Sequence, residues 1–120
     1  MFDFDAFATA WATGDADRCA ALMHPDGVWL YTEGDAPTGT SYRGRDAIRA
    51  AAQAMFASMP DATFFRRTDT LIDRHHALCT WTFTATTPRG RALRADGVDL
   101  LTLDDHGQIL VKDSYVKHVR

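Results

Sequence analysis

The second half of the chain leaves few choices. From residue 62 onward it reads as four strand segments, ATFFRRTDTLI, HALCTWTFTATT, RALRADGVDLLTL and QILVKDSYV, separated only by DRH, PRG and DDHG. Those separators have the composition of tight turns. Turns so short join antiparallel neighbours, because a parallel return needs a crossover of about a dozen residues or more. With 120 residues, 46% of them hydrophobic, residues 1–120 make one domain around one core. The sheet must therefore be covered by whatever the first half supplies.

The first half supplies helices. Phe4, Phe7, Ala8 and Trp11 recur at i, i+3, i+4 and i+7, the stripe of a helix with one buried side that ends near Gly14. Asp15 is placed to cap a second helix, whose apolar positions Cys19, Leu22 and Met23 run up to His24-Pro25. HPDG then reads as a turn and VWLYT as the first strand. Residues 33–44, rich in Gly, Ser and Thr, predict a loop with room for a short strand at SYR. In RDAIRAAAQAMFASMP, Ile48, Ala52, Met55 and Met59 fall on one side of a third helix, which Pro60 stops. This order predicts an α+β fold, with helices packed on one face of a curved antiparallel sheet and an open end where a pocket can form.

Counting from the turns estimates which residues share a face. If residues 104–107 form the last loop, Leu103 pairs with Gln108 and Asp99 stands directly across from Lys112, with Leu101, Leu110, Gly97 and Ser114 on the same side. A two-residue loop at Arg89-Gly90 sets Thr80 beside Asp99 and Thr82 beside Gly97. A slip of one residue would put Trp81 against Gly97 and mix the faces, so alternation disfavours it. One face then carries Cys79, Trp81, Phe83, Val98, Leu100 and Val111. The other carries the row Thr80, Asp99, Lys112.

Several functions are disfavoured. The formal charge is -3 and the basic residues are scattered, which is not the concentrated positive surface that nucleic acids require. No apolar run approaches the roughly 20 residues that cross a bilayer, and the acidic start MFDFDAFATAW is not a targeting segment. A cytoplasmic chain is expected, with Cys19 and Cys79 as buried, reduced thiols. The five histidines lack the spacing that brings two imidazoles to one ion, so no metal is expected. Arg89, Arg91 and Arg94 read as solvated charge around a turn. No phosphate-binding glycine pattern occurs, and no cofactor is implied.

W-A-T-G-D at 11–15, H-P-D-G-V-W at 24–29, Y-R-G-R-D-A-I at 42–48, M-P-D-A at 59–62, D-G-V-D-L-L-T at 96–102 and D-H-G-Q-I-L-V-K-D-S-Y at 105–115 follow one another in a familiar order. With them the chain resembles the SnoaL-like branch of the nuclear transport factor 2-like superfamily over nearly its whole length. The resemblance implies a cone, a bent antiparallel sheet wrapped around three helices, with a mostly apolar pocket inside and a homodimer formed through the outer sheet face. It turns Tyr31, Trp29, Thr80, Thr82, Asp99, Lys112 and Ser114 toward the pocket, and His118 shares their parity. It does not fix a reaction. Asp99 matches the hydrogen-bonding acid of ketosteroid isomerase, but Tyr31 stands in place of that enzyme's base and Phe7 in place of its oxyanion-hole tyrosine. Thr80, Thr82 and Ser114 replace the charged residues of limonene-type epoxide hydrolases. An acid on the last strand, as in aldol-type cyclases, corresponds to Asp113, which the counted register turns outward.

A small-molecule ligand or substrate is thus the expected partner. In the catalytic reading Asp99 accepts a proton, Lys112 holds a carbonyl or enolate oxygen, and Tyr31 donates a hydrogen bond, which suits isomerisation, cyclisation or dehydration of an apolar carbonyl compound. In the alternative the same row orients a ligand among Trp11, Trp29 and Phe56 and no bond is made or broken. A third reading makes the outer apolar face a recruiting surface for other proteins.

Overall fold

The computed structural model describes residues 1–118. Three helices, α1 (Phe4–Ala12), α2 (Ala16–Ala21) and α3 (Arg45–Ser58), lie against six strands: β1 (Met23–Leu30), β2 (Ser41–Arg43), β3 (Thr63–Asp73), β4 (His76–Thr86), β5 (Ala92–Leu103) and β6 (Ile109–Val116). The sheet order is β2-β1-β6-β5-β4-β3. Every neighbouring pair is antiparallel except β1 and β6, which run parallel. The fold is therefore the expected α+β one, with a single parallel joint where the helical half of the chain meets the last strand. Among the described residues no helix is long and apolar enough to cross a membrane.

The helix ends follow local chemistry. Asp3 accepts a hydrogen bond from the Ala6 N–H at 3.0 Å and Asp15 accepts one from Arg18 at 3.1 Å, each satisfying a donor that the first helical turn leaves open. Gly14, at φ 66°, lets the chain turn sharply between α1 and α2. Helix α2 is shorter than its apolar pattern predicts. Met23 already belongs to β1, and HPDG is not a turn before that strand but an irregularity within it, where pairing to β6 is interrupted between Met23 and Val28. Gly27 is needed there, because a Cβ would lie 2.8 Å from the Ile109 carbonyl oxygen.

The helices cover one face of the sheet. Phe7, Ala10 and Trp11 of α1, Cys19 of α2, and Ile48 and Ala52 of α3 pack on Met23, Trp29, Ala77, Cys79, Leu101, Leu103 and Ile109. The opposite face presents Phe65, Leu100 and Tyr115, all more than one third exposed.

Candidate functional site

Two hairpins decide what faces the helices. The last one closes with three residues, Asp105-His106-Gly107, because Asp104 N–H donates to the Gln108 carbonyl and Gly107 takes φ 80°. Leu110 is then an extra residue between the pairs Leu103–Ile109 and Thr102–Val111. Together these shift the register two residues from the counted one. Asp99 pairs with Ser114 and Lys112 with Leu101. Two is an even number, so Asp99, Lys112 and Ser114 still share a face.

The preceding hairpin differs by one, and every side chain of β4 changes face. Gly90 N–H donates to the Thr87 carbonyl, and Arg91 N–H donates to Thr87 Oγ1, so Thr87-Pro88-Arg89-Gly90 is a turn inside a three-residue loop. Gly90 sits at φ 83°. Cys79 pairs with Asp99, Trp81 with Gly97 and Thr82 with Asp96. This is the slip that alternation disfavoured. It is tolerated because Gly97 has no side chain: the Trp81 indole occupies the vacated space, where a Cβ would approach Cζ2 to 2.6 Å. Thr80 and Thr82 are therefore corrected to the outer face. Thr80 borders the cavity along β4, but its hydroxyl donates to the Thr68 carbonyl at 3.4 Å and that of Thr82 to Asp96 at 2.8 Å.

The exchange brings Trp81 to the inner wall, where it completes a network. Its Nε1–H donates to Asp99 Oδ2 at 3.1 Å. Ser114 Oγ donates to Asp99 Oδ1 at 2.6 Å and accepts from Lys112 Nζ at 2.9 Å and Trp29 Nε1 at 3.1 Å. Lys112 Nζ stands 3.5 Å from Asp99 Oδ1, with each side chain at most 5% exposed. It also lies 4.1 Å from the centroid of the Trp11 ring and 4.4 Å from that of Trp29.

Trp81 and Ser114 donate to Asp99, while Lys112 and Trp29 donate to Ser114, so the chain of donors ends on Asp99 as its acceptor. Burial pulls the Lys112 ammonium below its ordinary range while the Asp99 charge opposes the shift. The electron-rich faces of two indoles add to the stabilisation of the charged form. Ser114, Asp99 and the two rings together surround the Lys112 Nζ.

Above this floor is a cavity of about 440 Å³. Trp11, Trp29, Tyr31, Asp99, Lys112, Ser114 and His118 border it, as do Trp81, Phe64, Phe83 and Cys79, which the sequence reading did not assign to it. Tyr31 is half-buried beside Trp29, and desolvation, then the charge of Glu33, raises its phenol above the ordinary range. Its hydroxyl makes no hydrogen bond among the described residues. Phe56 is corrected out of the lining: it packs behind Trp11 with the rings tilted by 56° and centroids 5.8 Å apart, and faces a separate depression beside Gly14 and Arg49. Asp113 lies on the outer face, accepting a hydrogen bond from Tyr115 at 3.1 Å. A second ion pair, Arg66 with Asp69, also lines the cavity, and Arg66 reaches on to Asp5 at 2.6 Å.

The family model for the SnoaL-like domain matches residues 4–111. The chain belongs to the SnoaL-like domain family. Among curated proteins no sequence matches it. Solved structures similar to this SnoaL-like domain include a protein of ketosteroid isomerase-like fold from Catenulispora acidiphila DSM 44928, in complex with trimethylamine. It has 16% identity and a TM-score of 0.79, over 92% of this chain and 82% of that one. SalBIII, described as an epoxide hydrolase/cyclase-like enzyme in pyran ring formation in the polyether salinomycin, gives 16% identity and a TM-score of 0.76 over 92% and 84%. A protein from Jannaschia sp. CCS1 described as a SnoaL-like polyketide cyclase gives 14% and 0.74 over 94% and 83%. At these identities the likeness is one of fold.

Proposed function

We propose that this SnoaL-like domain performs cofactor-independent proton transfer on an apolar carbonyl compound, an isomerisation, cyclisation or dehydration. The carrying observation is an ion pair, Asp99 with Lys112, set in the aromatic floor of a cavity. A buried pair is a poor way to gain stability, because desolvation consumes most of the Coulomb attraction. In this reading its use is chemical: Lys112, Ser114 and Trp81 hold Asp99 in one rotamer as the proton acceptor, and the Tyr31 hydroxyl donates to the oxygen that gains charge. The carboxylate keeps lone-pair directions free, since about four exist and three donors are near. The cyclase description of the Jannaschia protein and the cyclase-like one of SalBIII agree with this class of reaction.

The test does not need the natural substrate. 2-Tetralone and a cyclic β-keto ester are incubated with the protein in D₂O and loss of the α-proton signals is followed by NMR. Exchange above background is expected, reduced by about 10²- to 10⁴-fold in Asp99→Asn, the usual worth of a general base. Exchange that survives Asp99→Asn unchanged sinks the assignment. Absence of exchange with bound ketone favours the non-catalytic alternative, a binder of the same fold. A second copy covering Phe65, Leu100 and Tyr115 on the outer sheet face belongs to the same reading.

A further inference from the structure

Resting on the reading of the cavity as a small-molecule site, we propose that Asp69 is a second ligand-contacting carboxylate, which accepts a hydrogen bond from an uncharged hydroxyl group of the bound molecule. Asp69 of β3 pairs with Cys79 of β4, Cys79 with Asp99 of β5, and Asp99 with Ser114 of β6, so the four stand in one row across the sheet. Cys79 is 3% exposed and belongs to the core beneath the helices, which fixes the row on the inner face. Its thiol registers both acids: burial, then the charges of Asp69 and Asp99, push it above the ordinary range.

An irregularity in β3 puts Asp69 there. Arg66 pairs with Trp81, whose indole bonds Asp99 on the inner face. In an unbroken strand, residues three apart point to opposite sides. Arg66 and Asp69 share a side because the register shifts between Arg66 and Thr68, where Arg67 is an extra residue. Arg67 itself reaches the outer face and donates to Asp96 at 2.9 Å. The shift thus re-aims a carboxylate, together with its cation, into the cavity that both border.

Asp69 is held but not saturated. Arg66 donates to its Oδ2 from Nε at 3.0 Å and from Nη2, and turns Nη1 to Asp5 on α1. The only other protein donor beside Asp69, among the described residues, is the Cys79 thiol, a weak one. Lone pairs therefore remain for a donor from the cavity, and the Asp69 side chain is 18% exposed where that of Asp99 is nearly closed off. Arg66 balances the charge of Asp69, and Asp5 is 86% exposed to solvent, so the subsite suits a neutral donor rather than an ammonium. The row also gives the ligand a length. Two strand spacings, about 10 Å, separate the backbones of Asp69 and Asp99. Allowing about 2.8 Å for a contact at each carboxylate leaves about 4 Å, which sets the hydroxyl about three bonds or more from the carbon that loses its proton.

Isothermal titration calorimetry on the full chain compares 6-hydroxy-2-tetralone and 7-hydroxy-2-tetralone with their methyl ethers, which keep the bicyclic ketone and replace the donor by a methyl group. With the wild type, the better hydroxyl isomer is expected to bind about tenfold more tightly than its ether, the worth of one hydrogen bond to a charged group. The ratio should fall to about threefold in Asp69→Asn, because a neutral acceptor bonds about half as strongly. It should persist in Asp96→Asn, an equal loss of charge on the outer face. Equal affinities of phenol and ether for both isomers overturn the proposal, and this comparison needs no variant to fold. A ratio that survives Asp69→Asn undiminished overturns it as well, as does a fall in Asp96→Asn of the same size, since net charge would then be the cause. Each of these results leaves the dependence of α-proton exchange on Asp99 standing, so the two readings fail separately. Failure of all four ketones to bind overturns both this inference and the small-molecule reading beneath it.

Discussion

Replacing Lys112 by Met keeps the length and apolar stem of the side chain and removes only the charge. Asp99 is then left 3% exposed with its nearest cation gone. Breaking a buried pair in this way costs about 3–5 kcal/mol. Two smaller terms nearly cancel: the ammonium loses its indole faces, at about 0.5–2 kcal/mol each, and the thioether recovers about 0.3–1.5 kcal/mol per sulfur–aromatic contact. The charge term decides the outcome, and a domain stable by about 5–15 kcal/mol remains folded enough to measure. Urea unfolding followed by tryptophan fluorescence gives the number. The double variant Asp99→Asn/Lys112→Met should be no less stable than Lys112→Met alone, with a coupling energy near 2–3 kcal/mol, the upper part of the range for contacting residues. A loss below about 1 kcal/mol in Lys112→Met, the value of a solvated surface pair, would refute the reasoning.

Three further outcomes follow from the same geometry. Gly97→Ala places a methyl against the Trp81 indole, whose Cζ2 lies 2.6 Å from the added carbon. It should cost about 1–3 kcal/mol and alter the near-ultraviolet circular dichroism, and an unchanged spectrum would contradict the register. Burial, the largest influence, raises the Cys19 thiol from 9.0 to about 12. Between those values the folded state holds a proton that the unfolded state has released, so stability falls as pH rises, by about 1.4 kcal/mol per unit for this thiol. Cys19→Ala should show a shallower alkaline decline than wild type in urea titrations above pH 9, and equal slopes would contradict the burial. Finally, light scattering on a sizing column should give a dimer mass that Phe65→Lys/Tyr115→Lys reduces to a monomer; a monomeric wild type would remove the proposed cover of the outer face.

The fold was legible because its signals are independent and agree. Apolar periodicity places α1 and α3, Asp15 caps α2, and turn compositions separate the strands of the sheet. Faces were harder, because parity depends on loop length to a single residue. Asp99, Lys112 and Ser114 were read onto one side only because a shorter loop and the extra Leu110 contribute one residue each and restore the parity. Thr80 and Thr82 had no such compensation. The signal that separates the cases is present in Thr87-Pro88-Arg89-Gly90, with Pro at the second and Gly at the fourth position, which favours a type I turn and hence a three-residue loop. Read that way, Gly97 opposite Trp81 ceases to be a mismatch and becomes the seat of the indole. The Arg66–Asp69 pair was not legible, because their shared face depends on a register shift between Arg66 and Thr68.

Lys112 and Lys117 are the only lysines in the chain, and Lys117 is exposed. A ¹H–¹⁵N spectrum tuned to ammonium groups should therefore show one slowly exchanging signal at neutral pH, moved upfield by the ring currents of Trp11 and Trp29 and absent in Lys112→Met. A spectrum with no protected, ring-shifted ammonium would mean that Lys112 is solvated or neutral, and the charged floor of the cavity would not exist.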